Sequence, residues 1–409
     1  MSKLQKKNMN WVEARISKTS DSLDRAISEG LTQHVFTWRD GKKVRLEDGT
    51  EAVEFVSCSY LGLEVHPDLV KAAIGAVEKF GVHFSSSRNR FRPPYLAELE
   101  ELLTCMHGGA PAVCFTSVSN VHLGVLPLLG TGALPSYPIK SGGVMFLVEK
   151  TAHASMQILR GIYEQIGPVK RFDLQDDTSL QEGLREAANN HKTPILLVDG
   201  VGSMGGLIDV VRLKEIIEPY DGILYVDDAH GTSIGGKYGG GYAFASFGEQ
   251  LPPNVILVGS LSKAFGGAGG YVVLQGQEDM HTLRKFANPL VFGHSIMLPM
   301  LAADVAAAKL HLSGQVAEMQ AALWENTAYF DKLTGNKLVN AGLQSPVRGA
   351  LFSTEEEAFE AARRLRKAGI LVLPAFFPTV SKGTGLIRFA LSSLHKQEEL
   401  EKAANALGI

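Results

Sequence analysis

Two continuous apolar runs, Ile195-Leu-Leu-Val198 and Ile223-Leu-Tyr-Val226, constrain this chain more than any other feature. Neither alternates polar with apolar residues, so neither suits a strand with one wet face. Both suit strands covered on two sides. The same texture recurs from about residue 50. Strand-like runs at Ala52–Ser57, Ala112–Thr116, Val144–Glu149, Val255–Gly259 and Tyr271–Leu274 alternate with helical patterns over Pro67–Phe80, Pro94–Cys105, Ala154–Tyr163, Ser179–Asn189 and Leu213–Glu218. This alternation predicts an α/β fold with a mainly parallel central sheet and helices on both faces. Ligands of such a sheet bind beyond the carboxyl ends of its strands.

After about residue 295 the texture changes. Helical stretches Leu298–Leu312 and Val316–Leu333 precede a smaller αβ region with strands at Ala350–Thr354, Ile370–Val372 and Leu386–Ala390 and helices at Glu355–Lys367 and Lys396–Ala406. The amino-terminal segment reads as a polar amphipathic helix followed by an extended stretch around Val35-Phe-Thr-Trp38. The expected organisation is an arm over residues 1–48, a large domain over 49–295 and a small carboxy-terminal αβ domain over 296–409.

Bulk properties narrow the functional classes. With 409 residues, 45% apolar and 20% charged, the chain fits an ordinary soluble globular protein of two or three domains. A net charge of −3 points to neither nucleic acid nor an anionic membrane as partner. Cys58, Cys105 and Cys114 follow no metal or redox spacing, which fits a reducing cytoplasm and no metal site. The basic start is followed by charged residues, Trp11-Val-Glu-Ala-Arg-Ile-Ser-Lys-Thr19, and not by an apolar signal core. Val121–Pro135 is apolar but broken by Gly and Pro, so no membrane span is expected.

Chemistry concentrates in Val258-Gly-Ser-Leu-Ser-Lys-Ala-Phe-Gly-Gly-Ala-Gly-Gly270. A lysine in this glycine-rich turn, beside Ser260 and Ser262, is poorly placed for a solvated charge and well placed for an imine with a cofactor aldehyde. Desolvation lowers its pKa and frees the amine as a nucleophile. Upstream, Tyr225-Val-Asp-Asp-Ala-His-Gly231 is a strand ending in two acids and a histidine. Together the two segments form the signature of an enzyme that uses pyridoxal 5′-phosphate.

From about Phe55 to Glu399 the chain resembles the α-oxoamine synthases, a branch of the fold-type I pyridoxal-phosphate enzymes with the aspartate aminotransferase-like fold. The resemblance implies a set of roles. Lys263 matches the Schiff-base lysine, and Asp227 the acid that pairs with the pyridinium nitrogen. His230 matches the histidine near the cofactor's 3′ oxygen, and Asp228 a supporting acid. His153, in Glu149-Lys-Thr-Ala-His-Ala-Ser155, matches the histidine that stacks on the ring. Ser203, in Asp199-Gly-Val-Gly-Ser-Met-Gly-Gly206, matches a serine that bonds the phenolic oxygen. Ser117, Val118 and Ser119 fall at the phosphate-binding turn, with Ser260 supplying a further hydroxyl. His294 and Ser295, in Phe292-Gly-His-Ser295, fall in a segment that reaches the neighbouring subunit's phosphate, which implies a homodimer with shared sites. Arg388, in Leu386-Ile-Arg-Phe-Ala-Leu-Ser392, matches the arginine that grips the substrate carboxylate.

Several positions depart from the family pattern. The asparagine of Ser-Asn-Asp-Tyr-Leu-Gly becomes Cys58 in Ser57-Cys-Ser-Tyr-Leu-Gly62. Gly-Gly-Ser-Arg becomes Ser85-Ser-Ser-Arg88, which keeps Ser87. The histidine of His-x-x-Leu-Glu becomes Leu96 in Leu96-Ala-Glu-Leu-Glu100. Ser-Gly-aromatic becomes Ser117-Val-Ser119, a following asparagine becomes His122, and the usual Glu becomes Asp199. With Arg388, Cys58 and Ser87 are expected on the substrate side. The expected activity is decarboxylative condensation of an α-amino acid with an acyl-CoA or acyl-carrier-protein thioester. The alternatives are another pyridoxal-phosphate reaction without a thioester (aminotransfer, elimination or decarboxylation) and a partner subunit without turnover.

Overall fold

The computed structural model describes residues 11–377 and 379–408. Its contacts divide the chain into two compact units: Cys58–Ala322, and the segment before Cys58 together with Leu323 onward.

In Cys58–Ala322 the apolar runs assemble into one seven-stranded sheet. Its order is Ala112–Phe115, Gly270–Val273, Val255–Ser260, Ile223–Asp227, Thr193–Asp199, Val144–Glu149, Val169–Phe172. Gly270–Val273 runs antiparallel to both neighbours, and the remaining neighbours are parallel. The mainly parallel α/β sheet is therefore as the sequence predicts. All residues of the first six strands in that order are buried, which is why their sequences are unbroken apolar runs. Val169–Phe172 escaped the sequence reading for the opposite reason. It lies at the sheet edge with Lys170 and Arg171 exposed, and charge on an edge discourages pairing with another chain.

The apolar stretch after Ser117 is a helix, Val118–Gly130, with Pro127 inside it. A proline removes one backbone hydrogen bond. Burial of Val121, Val125, Leu126 and Leu129 in the main core outweighs that loss, at about 1.5–3 kcal/mol per side chain. The helix expected over Ala154–Tyr163 is two helices, Ala154–Gln157 and Arg160–Ile166, because the backbone leaves helical values at Leu159 (φ −80°, ψ 2°). Leu298–Leu312 packs on Pro67–Phe80 and Leu96–Met106 and is buried on most of its surface. It belongs to the larger unit, and the contact division falls after Ala322. Among the described residues no helix is long and apolar enough to cross a membrane.

The other unit contains two small sheets. Phe36–Asp40, Lys43–Leu46 and Glu51–Glu54 form an antiparallel meander, extended by Ile370–Leu371 in parallel. Val347–Phe352, Gly385–Ala390 and Leu373–Ala375 form an antiparallel three-stranded sheet. Lys43–Leu46 and Leu373–Ala375 are too short to register as periodic runs. The helix Glu355–Lys367 is strongly specified. Thr354 Oγ1 accepts from Glu357 N–H at 3.2 Å, and Glu357 returns a bond to the Thr354 N–H at 3.3 Å. Acids fill its first turn and bases its last, as the helix dipole favours. The helix Trp11–Ser28 docks near it through Arg25, whose guanidinium bonds both oxygens of Glu356. The amino-terminal segment is thus part of this unit from Trp11 onward; the start of the expected arm lies outside the described residues.

One buried ion pair anchors this unit. Arg348 Nε and Nη2 donate to the two oxygens of Asp331 at 2.6 and 2.7 Å, and Arg348 Nη1 donates to Ser345 O at 2.8 Å. Breaking such a pair from one side strands a buried charge. Asp331→Ala is expected to cost about 3–5 kcal/mol in urea unfolding, and Asp331→Leu combined with Arg348→Met clearly less.

Candidate active site

Sheet register gathers the chemical motifs along one edge. Gly270 stands opposite both Phe115 and Ser260, Asp227 opposite Val258, and Asp199 opposite Asp227. The carboxyl ends of the parallel strands therefore bring Ser117, Ser260, Asp227, Asp199 and Glu149 to the same side, as the rule for such sheets requires.

Asp227 is buried at the end of its strand. Its Oδ1 accepts from Ala229 N–H at 3.1 Å, and its Oδ2 lies 3.0 Å from His122 Nε2. Burial works to raise this carboxyl. The His122 hydrogen bond and the charges of His122, Lys263 and His153 outweigh it and hold Asp227 below the usual carboxylate range. Lys263, half-buried, occupies the turn between Val255–Ser260 and Gly270–Val273. Gly266 N–H closes that turn onto Lys263 O at 3.0 Å, and Gly267 N–H bonds Leu261 O at 2.8 Å. Gly266 has φ +84°, and a Cβ there would come within 2.7 Å of Glu64 N, so only glycine fits.

Lys263 also acts electrostatically on Asp199 and Asp228. Burial and the Asp227 charge push Asp199 well up. Asp199 Oδ1 accepts the His153 N–H at 3.1 Å, which fixes the start of the helix Ala154–Gln157. The exposed His153 ring bonds Ser155 Oγ through Nδ1 at 2.7 Å. Partial desolvation pulls that imidazole below its ordinary value; Asp227 opposes this, and Lys263 and His122 reinforce it. His230 is buried, with Nδ1 2.8 Å from Tyr60 Oη. Ser203 sits in a turn closed by Gly202 and Gly206 at 2.8 Å.

At the strand-to-helix junction Ser117 caps Val118–Gly130, accepting Asn120 N–H at 3.2 Å. The Val118 and Ser119 amides belong to the open first turn of this helix. A Cβ on Gly270 would lie 2.8 Å from Val118 N, so a glycine keeps this junction accessible. Ser260 is buried; its N–H donates to Thr232 Oγ1 at 3.1 Å, and its Oγ accepts Ser262 N–H at 3.2 Å. The strand leading into the junction is braced by Glu100, whose Oε1 accepts from Arg88 at 2.7 Å and from Cys114 N–H at 3.1 Å. Arg88 and Glu100 belong to the two altered motifs, and their pairing explains why those segments keep an arginine and an acid. Leu96 starts the Glu100 helix and is itself buried.

Other expected residues form separate groups. Ser87 pairs with His294 through the backbone, His83 and His294 rings lie 5.1 Å apart, and Ser295 Oγ is buried with no hydrogen-bond partner among the described residues. Cys58 is half-buried. Arg388 is in the other unit, buried in Gly385–Ala390, with Nη1 3.4 Å from Val56 O. The backbone at Val56 is held by Glu54, whose Oε2 accepts the Val56 and Ser57 N–H groups at 2.9 Å while Lys42 bonds Oε1 at 2.8 Å. Sequence reasoning listed His122 only as a departure and passed over Tyr60 as a site residue. Both are tied to the Asp227–His230 segment by contacts that no spacing announces.

The arrangement is that of a cofactor-dependent transferase, and the chain belongs to the aminotransferase class I and II family, which residues 51–407 match. It is 30% identical to 8-amino-7-oxononanoate synthase of Thermoanaerobacter pseudethanolicus over 366 residues, 88% of this chain and 87% of that protein. It is 27% identical to 2-amino-3-ketobutyrate coenzyme A ligase of Escherichia coli over 400 residues, 95% of each. The fold matches serine palmitoyltransferase from S. paucimobilis with a TM-score of 0.82 and 20% identity, covering 96% of this chain and 97% of that one. The resemblance to α-oxoamine synthases read from the motifs holds across the chain.

Asp228 allows a pH test of the site's electrostatics. Burial pushes its carboxyl up to about 8 from 3.8, although Oδ2 accepts Ala243 N–H at 2.9 Å. Between those values the folded chain keeps a proton that the unfolded chain has lost, so this group's contribution to stability falls as pH rises. In Asp228→Asn the amide oxygen still accepts from Ala243. The variant's stability relative to wild type should therefore rise steadily from pH 4 to 8 in denaturant unfolding.

Proposed function

We propose that this enzyme condenses an α-amino acid with an acyl thioester, releasing CO₂ and a thiol and giving an α-amino ketone, with pyridoxal 5′-phosphate as cofactor. The observation that carries this reading is the buried Asp227, bonded by His122 and Ala229 at its strand end and acted on electrostatically by Lys263. The residues suit the cofactor's three demands: a carboxylate for a protonated ring nitrogen, an amine for the aldehyde, and helix amides with hydroxyls for a phosphate dianion. When bound, the cofactor supplies an aldehyde and an electron-accepting ring.

Lys263 would carry the aldehyde and then take and return the substrate's α-proton. Asp227 would hold the proton on the ring nitrogen. His153 would cover the ring and polarise the thioester carbonyl, and His230 and Ser203 would bond the phenolic oxygen. Ser117, the amides of Val118 and Ser119, and Ser260 would hold the phosphate. Arg388 would fix the amino-acid carboxylate, with Cys58 and Ser87 on the substrate side. Cys58 and the Val118-Ser119 pair, where the family pattern has Asn and Gly-aromatic, support an amino-acid or acyl preference of its own. The acyl donor is an acyl-CoA or acyl-carrier-protein thioester, and its thiol leaves. His294 and Ser295 would reach the phosphate of a second copy in a cytoplasmic homodimer. The exposed Phe292 and Met297 beside them in sequence, and Phe84 and Phe91 on either side of the Ser87 that pairs with His294, support an apolar contact there.

The test is thiol release by the cofactor-loaded protein across a grid of amino acids and acyl-CoAs. Release should require both substrates and fall by about 10³-fold or more in Lys263→Ala. Arg388→Ala should raise the KM for the amino acid by about tenfold or more, as loss of a charge-assisted bond predicts. Spectral changes on adding amino acids, with no thiol released from any donor, would turn the reading toward thioester-independent chemistry.

A further inference from the structure

Side chains alternate along a strand, so Tyr225 and Asp227 share one face of Ile223–Asp227. The helix Val118–Gly130 presents His122 to them. The imidazole is fully buried, with Nδ1 2.9 Å from Tyr225 Oη and Nε2 3.0 Å from Asp227 Oδ2. Tyr225 belongs to the apolar core that also contains Val121, Val125, Ile195 and Leu197.

We propose that Tyr225, His122 and Asp227 form a directed hydrogen-bond chain that orients Asp227 toward the cofactor's ring nitrogen, with His122 and Tyr225 as positioning residues. The proposal rests on the pyridoxal-phosphate reading and is independent of the thioester.

The direction of the chain follows from donor chemistry. An ionised carboxylate only accepts, so Nε2 carries the hydrogen and donates to Asp227. In the proposed chain the Tyr225 hydroxyl donates to Nδ1. Burial and the Asp227 charge push the Tyr225 phenol well up, so it keeps the hydrogen it donates.

Two other buried histidines have a different pattern. His107 Nδ1 bonds Leu103 O at 2.8 Å, and His311 Nδ1 bonds Ala307 O at 2.7 Å, each tying the ring to its own helix. His122 bonds two side chains of the neighbouring strand instead. One of them is the acid at the centre of the site.

The other charged groups acting on Asp227 are Lys263 from the glycine turn, His153 from the start of Ala154–Gln157, Asp199 from the adjacent strand and the neighbouring Asp228. Substitutions at His122 and Tyr225 leave all of them in place. Differences in the cofactor's pH response therefore report on the chain itself.

The experiment uses the pyridoxal phosphate-loaded protein. The bound cofactor's visible absorbance is titrated with pH, and its dissociation constant is measured, in wild type, Tyr225→Phe, His122→Asn and the double variant. His122→Asn keeps a donor for Asp227 in a smaller side chain, and thermal melts establish that each variant is folded. Tyr225→Phe should shift the midpoint of the absorbance titration and weaken cofactor binding about tenfold. Added to His122→Asn, Tyr225→Phe should have no further effect, because the link is already cut. Folded single variants with the wild-type midpoint and affinity would overturn the proposal, as would purely additive effects in the double variant. Failure of wild type to bind pyridoxal phosphate at all would instead sink the cofactor reading.

Discussion

The structure depends on keeping one carboxylate ionised at a buried strand end. Asp227 sits where desolvation favours the neutral acid. Its charge survives because the fold supplies opposing groups from three directions: His122 from the helix Val118–Gly130, Lys263 from the turn after Val255–Ser260, and His153 from the start of Ala154–Gln157. Each is brought in by a different loop or helix. The sheet register that places the strand ends side by side is therefore a condition for the chemistry as well as for the core.

That dependence explains the texture of the larger unit. Six strands are buried along their whole length and carry almost nothing but apolar side chains until their final residues. Polar groups appear abruptly at one edge, in Glu149, Asp199, Asp227 and Ser260, where satisfying partners are waiting. Thr151 N–H bonds Glu149, His153 N–H bonds Asp199, and Thr232 receives the Ser260 N–H. Buried polar atoms cost stability unless paired. The loops that begin at these strand ends satisfy them locally and so are held in place by the acids they serve.

The strands covered on both faces were legible from the sequence because burial on two sides leaves no room for polar residues. The same logic hid Val169–Phe172, whose edge position permits Lys170 and Arg171. The lysine, the acid pair and the arginine segment were legible because their chemistry narrows the residue choice. His122 was visible only as a mismatch, since its meaning lies in a helix face set against a strand face more than a hundred residues away. The contact division after Ala322 differs from the expected boundary for a similar reason. Leu298–Leu312 looks like the start of a new domain in sequence texture, but its all-round apolar surface is answered by Pro67–Phe80 and Leu96–Met106.

The adjacent acids show how far composition falls short of chemistry. Asp227 and Asp228 are chemically identical and both buried, yet they move in opposite directions. Asp227 meets an imidazole hydrogen bond and the electrostatic pull of Lys263 and His153. Asp228 receives a neutral amide, that of Ala243, and feels the negative charge of Asp227 beside it. One is left charged and the other mostly protonated at neutral pH, and two titratable neighbours driven apart in this way mark a division of labour. The ionised member is suited to hold a proton on a bound ring. The neutral one is suited to tie the loop at Ala243 to the strand end without adding a second negative charge to the site. Two full charges side by side at this depth would raise each other's pKa and weaken the carboxylate the site requires. Keeping Asp228 protonated is thus part of what keeps Asp227 ionised.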